Sequence, residues 1–146
     1  MGQPIPDITP AELRIMKILW RIGACTVGEV RQLLADEGDD EPAYTTVMTM
    51  MKQLSEKGAL AVDKSRQPFV YSPAVRREKV LSHRLMQFLH TVFDGQAGEM
   101  VARLVEEAEL SPEEIKRIED KIDAREQQEK PAKPDGKSPR RKGGKS

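Results

Sequence analysis

A mainly α-helical fold carrying one β-hairpin is what this 146-residue sequence predicts, on three observations. Apolar residues recur at helical spacing through most of the chain. Helix-start and helix-stop signals bracket those stretches. Two short alternating segments, residues 59–63 and 69–72, interrupt them once. Aromatics are only 4% of the chain, which favours an aliphatic, helix-rich core.

The first helix opens with Thr9-Pro10-Ala11-Glu12, where Thr9 can cap, Pro10 suits the first helical position and Glu12 completes a capping box. Leu13, Ile15, Met16, Ile18, Leu19, Trp20 and Ile22 make it strongly apolar, with Arg14, Lys17 and Arg21 on the remaining surface, and Gly23 stops it. Residues 24–27 form a short extended link. A second helix over 28–34 buries Val30, Leu33 and Leu34. The acidic loop 36–42 leads to a third helix over 43–57, ended by Gly58. The two strands follow, joined by the basic tip Lys64-Ser65-Arg66-Gln67-Pro68. Three helices and a hairpin in about 65 residues is the order of a winged helix-turn-helix.

From Pro73 onward the pattern is nearly continuous helix. Val80, Leu81, Leu85, Phe88, Leu89, Val92 and Phe93 form one apolar stripe, broken at Asp94-Gly95. Met100, Val101, Leu104 and Val105 form another, and Ser111-Pro112-Glu113-Glu114 is a second capping box before Ile115, Ile118 and Ile122. Helices this short are marginal alone in water, so packing on a second copy is the expected source of their stability. The reading divides the chain into a winged-helix domain at 1–73, a helical dimerisation segment at 74–123 and a disordered basic tail at 124–146. That tail contains Lys137-Ser138-Pro139-Arg140-Arg141-Lys142 and has no large apolar residue for a core.

Charge follows the same division. Residues 1–80 hold 11 basic and 11 acidic side chains, residues 81–123 hold 5 and 10, and residues 124–146 hold 8 and 3. The single cysteine, Cys25, excludes an intramolecular disulfide and fits a reducing compartment. Apolar runs fall short of the roughly 20 residues that span a bilayer. Met1-Gly2-Gln3-Pro4-Ile5-Pro6 lacks the pattern of a signal sequence. A cytoplasmic protein without membrane insertion is expected.

The third helix carries the functional reading. Val47, Met50, Met51 and Leu54 line one face; Thr45, Thr49, Lys52 and Gln53 line the opposite one. A threonine offers a hydroxyl to phosphates or base edges and a methyl to the thymine methyl, so this helix reads as a DNA-recognition element. It bears no arginine, which removes bidentate guanine reading and leaves discrimination to threonine contacts, the Tyr44 hydroxyl and DNA shape. Lys52 and Lys57 suit phosphates. The neutral first domain becomes workable for DNA if Arg14, Lys52, Lys64 and Arg66 face the duplex while the acidic loop points away. The basic tail can add non-specific phosphate contacts.

Ile8-Thr9-Pro10-Ala11-Glu12-Leu13-Arg14-Ile15-Met16-Lys17-Ile18-Leu19-Trp20, Thr26-Val27-Gly28-Glu29-Val30, Ala43-Tyr44-Thr45-Thr46-Val47-Met48-Thr49, Leu54-Ser55-Glu56-Lys57-Gly58 and Tyr71-Ser72-Pro73 follow in order with matching spacing. By these residues the chain resembles the penicillinase-repressor family of bacterial winged-helix regulators, over about residues 7–123. The resemblance implies a homodimer that binds a palindromic operator in double-stranded DNA and represses β-lactamase, other antibiotic-resistance or related stress genes. It places Thr45, Thr46 and Thr49 toward the major groove, with Tyr44 and Lys52 on the same helix and Lys64 and Arg66 on the wing. Leu81, Leu85, Phe88, Leu89, Val92, Met100, Leu104, Ile115, Ile118 and Ile122 would form the dimer contact. It also implies a membrane sensor or protease as upstream inducer. Two departures stand out. Antibiotic-responsive members are cut at an Asn-Phe bond, and the corresponding position here is Arg103-Leu104. Copper-responsive relatives carry a Cys-x-Cys pair near the C-terminus, which this chain lacks.

Other features carry less. Met48, Met50 and Met51 read as core filler. His83 and His90 share a helix face with Asp94 nearby, but without a third close His or Cys they read as interface packing, so no metal site and no cofactor is expected. Cys25 reads as a buried structural thiol. The sequence has no Gly-rich phosphate loop, no Gly-x-Ser-x-Gly elbow and no clustered metal ligands, so an enzyme is not expected. The competing reading is a helical protein–protein adaptor whose winged domain binds another protein.

Overall fold

Local chemistry starts and stops the helices. Thr9 accepts from the Glu12 amide at 3.2 Å and Glu12 accepts from the Thr9 amide at 3.0 Å, so the expected capping box opens α1 (Pro10–Ile22). The same box, from Thr26 and Glu29, opens α2 (Val27–Glu37). α2 therefore begins a residue earlier and runs three residues further than the 28–34 expectation. α3 (Tyr44–Glu56) ends in a paired return of the chain. The Gly58 amide donates to Ser55 O and the Ala59 amide to Leu54 O, with Gly58 at φ +88°, a conformation that costs glycine little. The computed structural model describes residues 5–38 and 41–129.

β1 (Leu60–Asp63) and β2 (Val70–Pro73) pair antiparallel, Leu60 opposite Pro73 and Val62 opposite Tyr71. The link after α1 joins this hairpin: Cys25 and Tyr71 exchange both backbone hydrogen bonds at 2.8 Å. α1, α2 and α3 pack on one another, and the hairpin packs on α1 and α3. Ile15, Met16, Leu19, Val30, Val47, Met51 and Leu54 are sealed between them. Each such side chain contributes roughly 1.5–3 kcal/mol relative to an exposed one.

The chain divides into two compact units, with the break after Gly95. α4 (Arg77–Val92) belongs to the first. Val80 is buried in its core, Trp20 Nε1 donates to Val75 O at 2.9 Å just before α4, and Arg84 donates to Ile8 O. The hairpin end at Pro73, where the sequence division was placed, is thus followed by a helix tied back into the same body. Asp94 (φ +52°) and Gly95 (φ +80°) end α4, and the Gly95 amide returns to Leu89 O at 3.0 Å.

The second unit holds α5 (Ala97–Glu107) and α6 (Pro112–Glu129), and neither buries a residue. Ser111 and Glu114 form the expected capping box of α6. α6 continues to Glu129, past the expected start of a disordered tail at 124. Pairs such as Lys116–Asp120 and Arg125–Glu129, one turn apart, support a polar helix where apolar residues run out. The rest of the expected tail, residues 130–146, lies outside the described residues. Among those described, no helix is long and apolar enough to cross a membrane.

Candidate nucleic-acid interface

α3 buries Val47, Met51 and Leu54, packs Met50 partly against the core and turns its opposite side outward. At 100° per residue Thr45, Thr49, Lys52 and Glu56 follow one another along the side opposite the core, with Thr46 and Gln53 on one flank. Tyr44, Thr45, Thr46, Thr49 and Lys52 are all exposed, as the sequence reading required. The start of α3 has no side-chain cap, so no side chain satisfies its first amides at the positive end of the helix dipole.

Lys64 and Arg66 stand exposed on the hairpin tip. Asp63 shapes that tip, accepting from the Ser65 amide at 3.0 Å and its hydroxyl at 2.6 Å. These bonds, with Arg66 nearby, hold the Asp63 carboxyl below its ordinary value. Between α3 and the hairpin runs a groove of about 470 Å³. Thr49 and Lys52 line it from the helix and Lys64 from the wing, so three of the expected contact residues share one concavity. Thr45, Thr46 and Arg66 lie outside its lining. Tyr44 borders a smaller depression of about 180 Å³ at the wing base with Tyr71. Burial, then the Tyr44 phenol, pushes the Tyr71 hydroxyl above its ordinary value.

Three residues stand elsewhere than the sequence suggested. Lys57 is not free for phosphate: its Nζ lies 2.6 Å from Glu12 Oε1 and 2.9 Å from Asp7 O. Glu12 is buried, which raises its carboxyl pKa, but the Lys57 ammonium and the Thr9 bonds outweigh that and hold it below the usual 4.5. Arg14 has its guanidinium against Gly38 at the C-terminal end of α2, beside the acidic loop. Met48 is not core: it is 42% exposed and borders both depressions. Its helical position, roughly 100° from Val47 and facing the wing, could have revealed this. Glu56, omitted from the expected face, also lines the groove.

Ion pairing distributes the charge of the neutral domain unevenly. Arg21 pairs with Glu37 at 2.8 Å and Arg31 with Glu41 at 3.5 Å, and Arg14 sits against Gly38, so two carboxylates at the acidic loop are answered by arginines of α1 and α2. Among the described residues, Lys52, Lys64 and Arg66 enter no ion pair. Along α3 and the wing these three cations stay out of ion pairs, with Glu56 and Asp63 the carboxylates nearest them.

The proposed dimer residues fall into two groups. Leu85 (53% exposed), Phe88, Val92, Leu104, Ile115, Ile118 and Ile122 are exposed apolar side chains, and Leu81 and Met100 are half-buried. Leu89 is a correction: it is buried within the single chain and leaves little surface for a partner. His83 is half-buried and His90 packs over Gly95. Among the described residues no three His, Cys, Asp or Glu side chains are gathered to hold a metal. Cys25 is buried, and burial, with Glu29 adding to it, raises its thiol pKa, which suits the structural reading.

The profile of the family described as penicillinase repressor matches residues 8–124. The penicillinase repressor of Bacillus licheniformis is 32% identical over 114 residues, covering 78% of this chain and 88% of that protein. The methicillin resistance regulatory protein MecI of Mammaliicoccus sciuri is 24% identical over 112 residues, 77% of this chain and 89% of that protein. Among solved structures, the Bacillus licheniformis BlaI monomeric form in complex with the blaP half-operator is similar at 32% identity. It covers 53% of this chain and 92% of that one, with a TM-score of 0.44.

Proposed function

The chain belongs to the penicillinase repressor family, and on that premise we propose that it is a sequence-specific DNA-binding repressor acting as a homodimer on a palindromic operator. The observation that carries this reading is the exposed Thr45, Thr49 and Lys52 side of α3 beside the exposed Lys64 and Arg66 of the wing. A helix of this diameter enters the major groove of B-DNA, about 12 Å wide. Thr45, Thr46 and Thr49 then meet base edges, with the Tyr44 hydroxyl at the helix start. Lys52, Lys64 and Arg66 meet phosphates, fixing register and affinity without reading sequence. Three threonines make a modest reader, each correct base contact contributing about 1–3 kcal/mol.

Duplication supplies the rest. Two copies joined through the exposed apolar residues of α4, α5 and α6 present two α3 helices to half-sites about one helical turn, or a multiple of it, apart. The regulated genes would be of the β-lactamase, antibiotic-resistance or related stress type, and the protein would work in the cytoplasm. A membrane sensor with protease activity fits as upstream inducer, although the departure at Arg103-Leu104 sets this chain apart from relatives cut at Asn-Phe. A gel shift on the promoter upstream of its own gene tests the reading. Salt-sensitive binding that prefers this duplex over random DNA supports it; absence of binding at low salt overturns it and favours a protein-binding adaptor.

A further inference from the structure

The groove between α3 and the wing joins an apolar side to charged groups. Its volume of about 470 Å³ falls within the range of small-molecule sites, roughly 300–1,000 Å³. Met48, Phe69 and Tyr71 give it an apolar, partly aromatic side. Lys52 and Lys64 contribute two ammonium groups and Glu56 one carboxylate, a net of one positive charge. We infer that this groove binds a small aromatic monocarboxylate, which displaces DNA because it occupies Lys52 and Lys64.

The chemistry selects that class at each step. A flat ring lies against the thioether and the two aromatic side chains, contacts that sulfur and π-faces favour. A single carboxylate meets the two ammoniums, which have no ion-pair partner among the described residues. A dianion would meet Glu56 with a charge too many, and a cation would be repelled by both lysines. Displacement of DNA rests on the proposed function above: with the carboxylate in place, the groove's net positive charge is cancelled where Lys52 and Lys64 would meet phosphates. Such a ligand would release the operator with the Arg103-Leu104 segment uncut.

The test uses the full chain and 2-naphthoate as probe, with 2-naphthalenemethanol as uncharged control. The methyl resonance of Met48, assigned from the Met48→Leu variant, reports binding without DNA. A saturable shift with a Kd on the order of 1 mM is expected, the affinity that 13 heavy atoms of ordinary efficiency supply. The control and the Lys52→Gln/Lys64→Gln variant should each bind about tenfold more weakly, in keeping with two exposed charge contacts. No saturable Met48 shift, or equal binding of acid and alcohol, overturns the site. The second arm adds 2-naphthoate to the promoter gel shift. Release of DNA at ligand-saturating concentration supports competition; an unchanged shift with the ligand bound overturns it. Failure of the promoter to bind in the absence of ligand overturns the repressor reading instead, and leaves the Met48 measurement to decide the site alone.

Discussion

Unit one and unit two of this chain solve the same problem in opposite ways. The helices and hairpin up to Pro73, with Val80 of α4, enclose a core in which Ile15, Leu19, Val47 and Leu54 are wholly buried. α5 has an apolar stripe without a side-chain cap, and α6 has both a capping box and an apolar stripe, yet neither buries a residue. The contrast teaches that amphipathic pattern and capping make a helix, but closure of several faces on one another makes a fold. In the proposed dimer a second copy supplies that closure to the second unit.

Breaking the core shows the contrast most strongly. Leu54→Ala should cost about 3–4 kcal/mol in urea unfolding, whereas Leu104→Ala should leave the first unit's stability within about 0.5 kcal/mol. Equal losses would mean that the two regions do not differ as described. Next in size is Leu85→Asp, which places a charge in the proposed dimer contact. We expect about a 100-fold weaker dimer by sedimentation and weaker operator binding with it. An unaltered dimer would move the interface away from α4.

The Glu12–Lys57 pair sharpens the comparison inside the first unit, since it ties the start of α1 to the end of α3. Lys57→Ala leaves a buried carboxylate unpaired and should cost about 2 kcal/mol near neutral pH. Because the folded Glu12 pKa lies below 4.5, its contribution is complete above that value and is lost as pH falls through the folded value. The stability gap between the wild type and Glu12→Gln should therefore close in acid below 4.5. A gap that stays constant through that range would contradict the assigned pairing.

Much of this was legible in the chain because its signals are local. Thr9 with Glu12, Gly23, Gly58 and Ser111 with Glu114 each act within a few residues, and each marks a real helix end. Thr26 with Glu29 carried the same information and sets the true start of α2. What could not be read depends on partners distant in sequence. Lys57 meets Glu12 across 45 residues, and Arg14 meets the end of α2 only once three helices pack. Leu89 shares its stripe with Leu85 and Phe88, and only the folded chain separates buried from exposed. α6 outlasts its apolar residues on i,i+4 ion pairs, which are a weaker signal in the sequence than a hydrophobic stripe.

The smallest expected effect bears on the central claim, that the exposed side of α3 reads sequence. The measurement is the ratio of Kd values for the promoter duplex and a random duplex, taken for the wild type and Thr49→Ala at one salt concentration. Loss of one threonine contact in each half-site should reduce that preference by about 30-fold while the random-duplex Kd hardly changes. A preference left intact in Thr49→Ala, with fold and dimer preserved, would contradict groove reading by this helix.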